Sequence, residues 1–165
     1  QVPVPVIAAV HGVCFGAGLQ VALGADIRLV HPDARMSVME VKWGLIPDMA
    51  ATQTLRDIVR LDVAKELTFT GREVGGEEAV RLGLATRVAA DPLEAARGLA
   101  REIAGRSPEA IRFAKELYDR SRRLPEAEGL ALEAQLQRRV IGSANQLEAV
   151  MANVQKRRPS FGDLE

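Results

Sequence analysis

One cysteine, Cys14, is present among 165 residues. A single thiol can form neither an intrachain disulfide nor a multi-cysteine zinc site. That suits a reducing compartment, and the cytoplasm is the expected location. Aromatic residues are scarce, at 4%, which removes the base-stacking platforms that RNA recognition relies on. Neither sign of charge is in excess, since Lys+Arg and Asp+Glu each number 22. Zero net charge argues against a general nucleic-acid binder. No apolar run approaches the roughly 20 residues of a bilayer-spanning helix, so no membrane partner is expected. Signal-peptide patterning, low-complexity tracts and solenoid-period repeats are also lacking. The chain enters from Gln1 directly into a strand-like run, so residues upstream of it are expected.

What is present is ordinary for a globular protein: 47% hydrophobic and 27% charged residues, in a length typical of one domain. Val4 to Val10 reads as a strand buried on both faces. A glycine-punctuated turn from His11 to Gly18 follows, then a short buried helix from Leu19 to Gly24. Ile27 to Val30 reads as the next strand, closed by His31, Pro32 and Asp33. Lys42 to Asp48 is irregular, and Asp48 is placed to cap a helix over Ala50 to Val59. Helices are expected at Val63 to Phe69 and Gly76 to Leu82, stopped by Gly71 and Gly83. A short strand follows at Leu84 to Val88. Beyond it the pattern is helical, with segments opening at Pro92, Pro108 and Pro125 and a fourth from Asn145 to Arg157. The division is an α/β part over residues 1–90 and a helical part over residues 91–165.

The chemistry is concentrated near Gly16-Ala17-Gly18, between a buried strand and a buried helix. Small residues there allow backbone N–H groups to approach a ligand, as in phosphate and oxyanion sites. A lone glycine pair of this kind is more often structural, and the dinucleotide fingerprint is absent.

Surrounding residues sharpen the reading. Pro3-Val4-Pro5-Val6-Ile7-Ala8-Ala9-Val10-His11-Gly12, the Gly16-Ala17-Gly18 turn and Ala22-Leu23-Gly24-Ala25-Asp26-Ile27-Arg28 come in order. Glu40, Gly44-Leu45-Ile46-Pro47, Thr52-Gln53 and Leu67-Thr68-Phe69-Thr70-Gly71-Arg72 follow, then Glu77-Glu78-Ala79 and Gly83-Leu84. Together they resemble the C-terminal part of the crotonase, or enoyl-CoA hydratase/isomerase, superfamily. The resemblance implies an α/β spiral of ββα units followed by a C-terminal helical trimerisation region, in a homotrimer or hexamer. It also implies an acyl-CoA thioester substrate whose enolate is stabilised. Coenzyme A belongs to that substrate, so neither a separate cofactor nor a metal is implied.

By the same resemblance, the Ala17 backbone N–H is one of two oxyanion donors, with Gly16 and Gly18 shaping the turn. Glu40 matches the family's most widely shared acid/base. The other glutamate of the hydratases falls at Gln20, which can hydrogen-bond but cannot exchange a proton at neutral pH. Asp48 falls where dienoyl-CoA isomerases carry a second acidic residue. Trp43 and Pro47 are expected in the pocket wall, Trp43 alternatively in the core, and Lys156 on the CoA moiety. The leading expectation is therefore a double-bond shift in an enoyl- or dienoyl-CoA. Hydration of a trans-2-enoyl-CoA, by Glu40 alone or with Asp48 replacing the missing glutamate, is the alternative. A CoA-thioester- or RNA-binding scaffold without turnover is the third. Gln20→Glu is expected to rebuild the hydratase pair. Cys14 reads as a packed thiol, and Asp26 and Arg28 as structural.

Overall fold

The computed structural model describes residues 2–162. Val6–Gly98 form one compact unit, and the residues before Val6 with those from Leu99 onward form another.

In the first unit two strands, β1 (Ile7–Val10) and β2 (Val13–Phe15), lead into α1 (Ala17–Leu23). The pattern repeats with β3 (Ile27–Val30) and β4 (Arg35–Ser37), followed by a 3₁₀ turn (Glu40–Trp43), α2 (Ala51–Ile58) and α3 (Leu61–Thr70). β5 (Val74–Gly75), α4 (Gly76–Leu82) and β6 (Arg87–Val88) complete it. Each turn of the repeat sends its first strand into one sheet and its second into another. One sheet has the order β1-β3-β6 and the other β2-β4-β5. β1 and β3 pair in parallel with Ile7 opposite Ile27, and β2 and β4 in parallel with Val13 opposite Arg35. Parallel neighbours require a crossover, and α1 supplies it.

The aliphatic residues that drive this arrangement are Leu19 and Leu23 on α1, Val30, Met36 and Val38 around β3 and β4, and Leu55, Leu67 and Leu84 beyond. Arg28 is buried among them and donates to the carbonyls of Leu84 at 2.8 Å and Ala25 at 2.6 Å. Burial lowers its pKa, and Asp26 acts in the opposite direction. Asp26 itself accepts from the Val6 N–H at 2.6 Å. Both residues are thus structural ties. Cys14 is buried and free, and burial raises its thiol pKa. Gly83 ends α4 at φ 90°, where a Cβ would collide with the Ile58 carbonyl.

Three expectations need correction. β1 is shorter than Val4 to Val10, and Ile7, Ala8 and Ala9 are only half-buried. It lies at a sheet edge with β3 as its partner among the described residues, so its flanks are not both covered. The last strand of the unit spans Arg87–Val88 rather than Leu84 to Val88. β2, β4 and β5 carry no alternating pattern long enough to announce them, and the turn read at His11 to Gly18 contains β2.

The helical unit takes over within α5 (Pro92–Ala104) and contains α6 (Pro108–Ser121), α7 (Glu126–Val140) and α8 (Ala144–Val154). Ser107 caps α6 by accepting from Ala110 N, with Pro108 in the first turn, and Ser143 caps α8 by accepting from Gln146 N. The last residues fold back on α8. Arg157 pairs with both Glu148 oxygens, at 2.5 and 2.7 Å, and Ser160 N donates to the same carboxylate at 2.7 Å. Buried Asn145 exchanges hydrogen bonds with Gly162 and donates to Glu109 at 2.9 Å.

Arg157 and the Ser160 N–H depress the Glu148 pKa from 4.5 to about 2. A carboxylate whose folded pKa lies below its unfolded value contributes stability at higher pH and loses it on protonation. The tail's contribution should therefore be full above about pH 4.5 and fade as pH falls through about 2. The protection of the Ser160 amide, relative to its intrinsic exchange rate at each pH, should fall over that window, and Glu148→Gln should lower it already at neutral pH. Equal protection of Ser160 in the variant would show that the pair does not hold the tail.

Candidate active site

The turn after β2 depends on a glycine. Gly16 has φ 51° and ψ −122°, a conformation that side chains resist. Its N–H donates to the Ser37 carbonyl at 3.0 Å, tying the turn to the end of β4. Chain leaving β4 winds into the 3₁₀ turn, where Glu40 is its first residue. Leu45 N donates to the Glu40 carbonyl at 3.1 Å and closes that turn. A Cβ on Gly16 would stand 3.4 Å from Glu40 Oε1, so turn and carboxylate lie against each other.

Glu40 is buried at 9% exposure. Its Oε1 accepts from Gln20 Nε2 at 2.5 Å. Its Oε2 is buried and has no hydrogen-bond partner among the described residues. Buried polar atoms in native proteins are nearly always paired, so an orphaned carboxylate oxygen calls for a functional explanation. Gln20, 3% exposed, holds its own oxygen against the N–H groups of Met49 at 2.8 Å and Ala51 at 3.3 Å.

Ala17 opens α1 and is exposed, and its N–H has no acceptor among the described residues. Its φ is not positive, so alanine fits there without strain. Gly18 is exposed in the first turn of α1. Gly16, Gln20 and Glu40 are brought together. Pro47 is half-buried in the segment after the 3₁₀ turn. Lys156 lies in the helical unit, exposed, on the left-handed residue that turns the chain out of α8, at φ 52°.

Trp43 is not a core residue, being 76% exposed. It stands at the end of the 3₁₀ turn and belongs to an apolar run in which Leu45 is 62%, Ile46 79% and Met49 48% exposed. Asp48 is not the cap of α2. That helix begins after Ala50, a left-handed residue at φ 65°, with no side-chain cap from its own flank. The Gln20 oxygen receives Ala51 N in place of a local cap. Its separation of 31 residues explains why capping signals near α2 do not reveal it. Asp48 is exposed and makes no side-chain hydrogen bond among the described residues. A cavity of about 390 Å³ lies elsewhere, in the helical unit beside Val2, Pro3 and Phe113, and none of these site residues lines it.

Comparison with known proteins fits this geometry. The family model for enoyl-CoA hydratase/isomerase matches residues 1–164, and the chain belongs to that family. It is 38% identical to human enoyl-CoA hydratase domain-containing protein 2, mitochondrial, with 96% of this chain and 56% of the relative covered. It is 37% identical to the peroxisomal Delta(3,5)-Delta(2,4)-dienoyl-CoA isomerase of Arabidopsis thaliana, with 97% and 59% covered. The chain thus spans little more than half the length of these curated relatives. The crystal structure of enoyl-CoA hydratase from Bacillus anthracis superposes with a TM-score of 0.94 at 34% identity, covering 98% of this chain and 63% of that one. The α/β fold is therefore crotonase-like.

Loss of a helix cap to alanine costs about 0.5–2 kcal/mol. Asp48→Ala should instead change unfolding stability by no more than about 0.5 kcal/mol, the range of ordinary surface positions. Urea denaturation of wild type and variant measures it, and a loss above about 1 kcal/mol would restore Asp48 to a capping role.

Proposed function

We infer that the protein carrying this chain shifts a double bond within an enoyl- or dienoyl-CoA, with Glu40 as its acid/base. The observation that carries this reading is the unpartnered Glu40 Oε2 beside an amide that cannot titrate. A double-bond shift needs a proton removed from one carbon and returned to another, and one carboxylate can do both. Removal next to the thioester leaves negative charge on the thioester oxygen. The unengaged Ala17 N–H supports a role as one donor to that oxygen. The exposed apolar side chains from Trp43 to Met49 suit an acyl group, and Lys156 is the candidate contact for the CoA portion. Gln20 weighs against hydration, because adding water calls for a second group that exchanges protons.

Hydration remains the second reading on a specific ground. Asp48 is exposed and caps nothing, so its carboxylate is at liberty to replace the missing glutamate. The human relative carries a hydratase name and the Arabidopsis relative an isomerase name. In the complete protein, double-bond movement in enoyl-CoA substrates should outpace hydration of trans-2-enoyl-CoA. Glu40→Gln should lower that rate by about 10²–10⁴-fold, the usual weight of a general acid/base. A comparable loss in Asp48→Asn would indicate two carboxylates relaying the proton, and little loss a single one. Efficient hydration of crotonyl-CoA with no double-bond movement would replace the isomerase reading by the hydratase one.

For the assembly we infer a homotrimer or a hexamer. Its support is a stripe on α8, where Leu147, Val150, Met151 and Val154 are 55%, 47%, 48% and 74% exposed. Residues three, four and seven apart share one helix face, and a contiguous apolar face of this kind marks a protein interface. Sedimentation of the complete protein at micromolar concentration should give a trimer or a multiple of it. A monomer would overturn the assignment.

A further inference from the structure

We propose that Gln20 is the positioning residue that decides which oxygen of Glu40 exchanges protons, by tying the other oxygen to the turn bearing Asp48. The inference rests on Glu40 as the acid/base and goes beyond it by naming the reacting atom.

Gln20 is held from one side. Its amide oxygen accepts from Met49 N at 2.8 Å and Ala51 N at 3.3 Å. Two backbone donors fix the orientation of an amide whose O and N would otherwise be interchangeable. The oxygen must face residues 49–51, and the NH₂ must face Glu40. Nε2 then donates to Glu40 Oε1 at 2.5 Å. The two carboxylate oxygens become inequivalent. Oε1 shares its lone pair with the amide, whereas Oε2 is buried and has no partner. Oε2 is therefore the better base of the two, with no hydrogen bond to give up before it takes a proton.

The proton transfers balance on this atom. Oε2 forms an O–H bond as the α C–H bond of the thioester breaks, and the C–H electron pair moves into the enolate. In the return step that O–H bond breaks and a C–H bond forms at the carbon that becomes saturated, while the double bond moves along the chain. No oxidant, reductant or second acid enters. Through both steps the bond from Nε2 keeps the carboxyl group from rotating, so the same oxygen stays aimed at the substrate. Holding a reacting group in its productive geometry is a large part of an enzyme's rate advantage.

The same side chain braces a strained turn. Met49 and Ala51 flank Ala50, whose φ of 65° is unusual for a residue with a Cβ. The sequence alone makes Gln20 the vestige of a hydratase glutamate, to be restored by Gln20→Glu. The direct contact with Glu40 makes the opposite prediction. A carboxyl group at position 20 would either repel Glu40 or share a proton with it, and both outcomes impair Oε2.

The test follows proton removal alone, through exchange of the α-protons of butyryl-CoA with D₂O by NMR, using the complete protein. That signal does not depend on whether the natural product is an isomer or a hydrate. Gln20→Met keeps the length of the side chain and removes all three of its hydrogen bonds. Its maximal exchange rate should fall by about 10–100-fold, the usual loss when a partner that orients a reactive group is removed. The thioester concentration at half-maximal rate should stay near the wild-type value, since orientation is lost and binding is not. A maximal rate equal to wild type, alongside loss of exchange in Glu40→Gln, would overturn the role of Gln20. Wild-type exchange in Glu40→Gln would instead overturn the acid/base assignment, and this inference with it. Gln20→Glu keeps an acceptor for Met49 and Ala51, which preserves the fold if the methionine variant does not form. It too should lose rate at neutral pH, and a folded Gln20→Glu protein exchanging at the wild-type rate would refute the proposal.

Discussion

Gln20 and Glu40 meet at 2.5 Å inside a unit whose core is mostly aliphatic, and the surrounding backbone is arranged to make that contact. α1 supplies the amide, the 3₁₀ turn after β4 supplies the carboxylate, and the start of α2 supplies the two N–H groups that hold the amide oxygen. Removing the amide would leave those donors without a partner, at about 1–3 kcal/mol for each buried group. The turn between β2 and α1 must also be tight enough to bring Gln20 there. Its glycine at φ 51° and the bond from Gly16 N to the Ser37 carbonyl provide this. Three segments distant in sequence are thereby fixed to one another by a single side chain.

The arrangement is not the most stable one available. A buried carboxylate oxygen without a partner carries an uncompensated desolvation cost, and well-packed apolar residues often stabilise a core more than buried ions do. Costs of that kind persist where a reacting group must be held ready, which is why orphaned polar atoms and strained backbone gather at functional sites. Gly16, Ala50 and Glu40 Oε2 are all features of this sort, and all border the Gln20 amide or its partners. Their common neighbourhood singles out this place as the candidate site more firmly than any one of them.

Much of this was legible in sequence, for reasons that differ from element to element. β3 is an apolar run between turn residues, and α4 is bounded by glycine at both ends, so local chemistry located both closely. Proline at its start announced α6, whereas the pattern from Asn145 to Arg157 located α8 without its Ser143 cap and ran past its end at Val154. β2, β4 and β5, at three, three and two residues, are too short for a period-two pattern, and only pairing with distant strands makes them strands. Glu40 and the glycine turn were found because their residue types are distinctive in order. Asp48 was misread as a cap because a Pro-Asp before a helix is the local signature of one. The true acceptor for Ala51 N is Gln20, which no nearby pattern can indicate. Trp43 was open to a core reading because aromatics are usually buried on average, whereas it ends the 3₁₀ turn begun by buried Glu40 and lies at the surface, where the chain leaves that turn.

That last relation extends to the chemistry. Glu40 and Trp43 are the two ends of one short turn, so fixing the carboxylate in the interior also fixes where the chain emerges. The left-handed Gly44 at φ 71° ends the turn and releases Leu45 and Ile46 to the surface, and the segment returns inward at Ala51, 1% exposed. Gln20 holds both ends of this excursion, Glu40 by its NH₂ and residues 49–51 by its oxygen. An apolar loop whose base is clamped to the carboxylate cannot move far without disturbing Oε2. An amide at position 20 provides this clamp without adding a second titrating group.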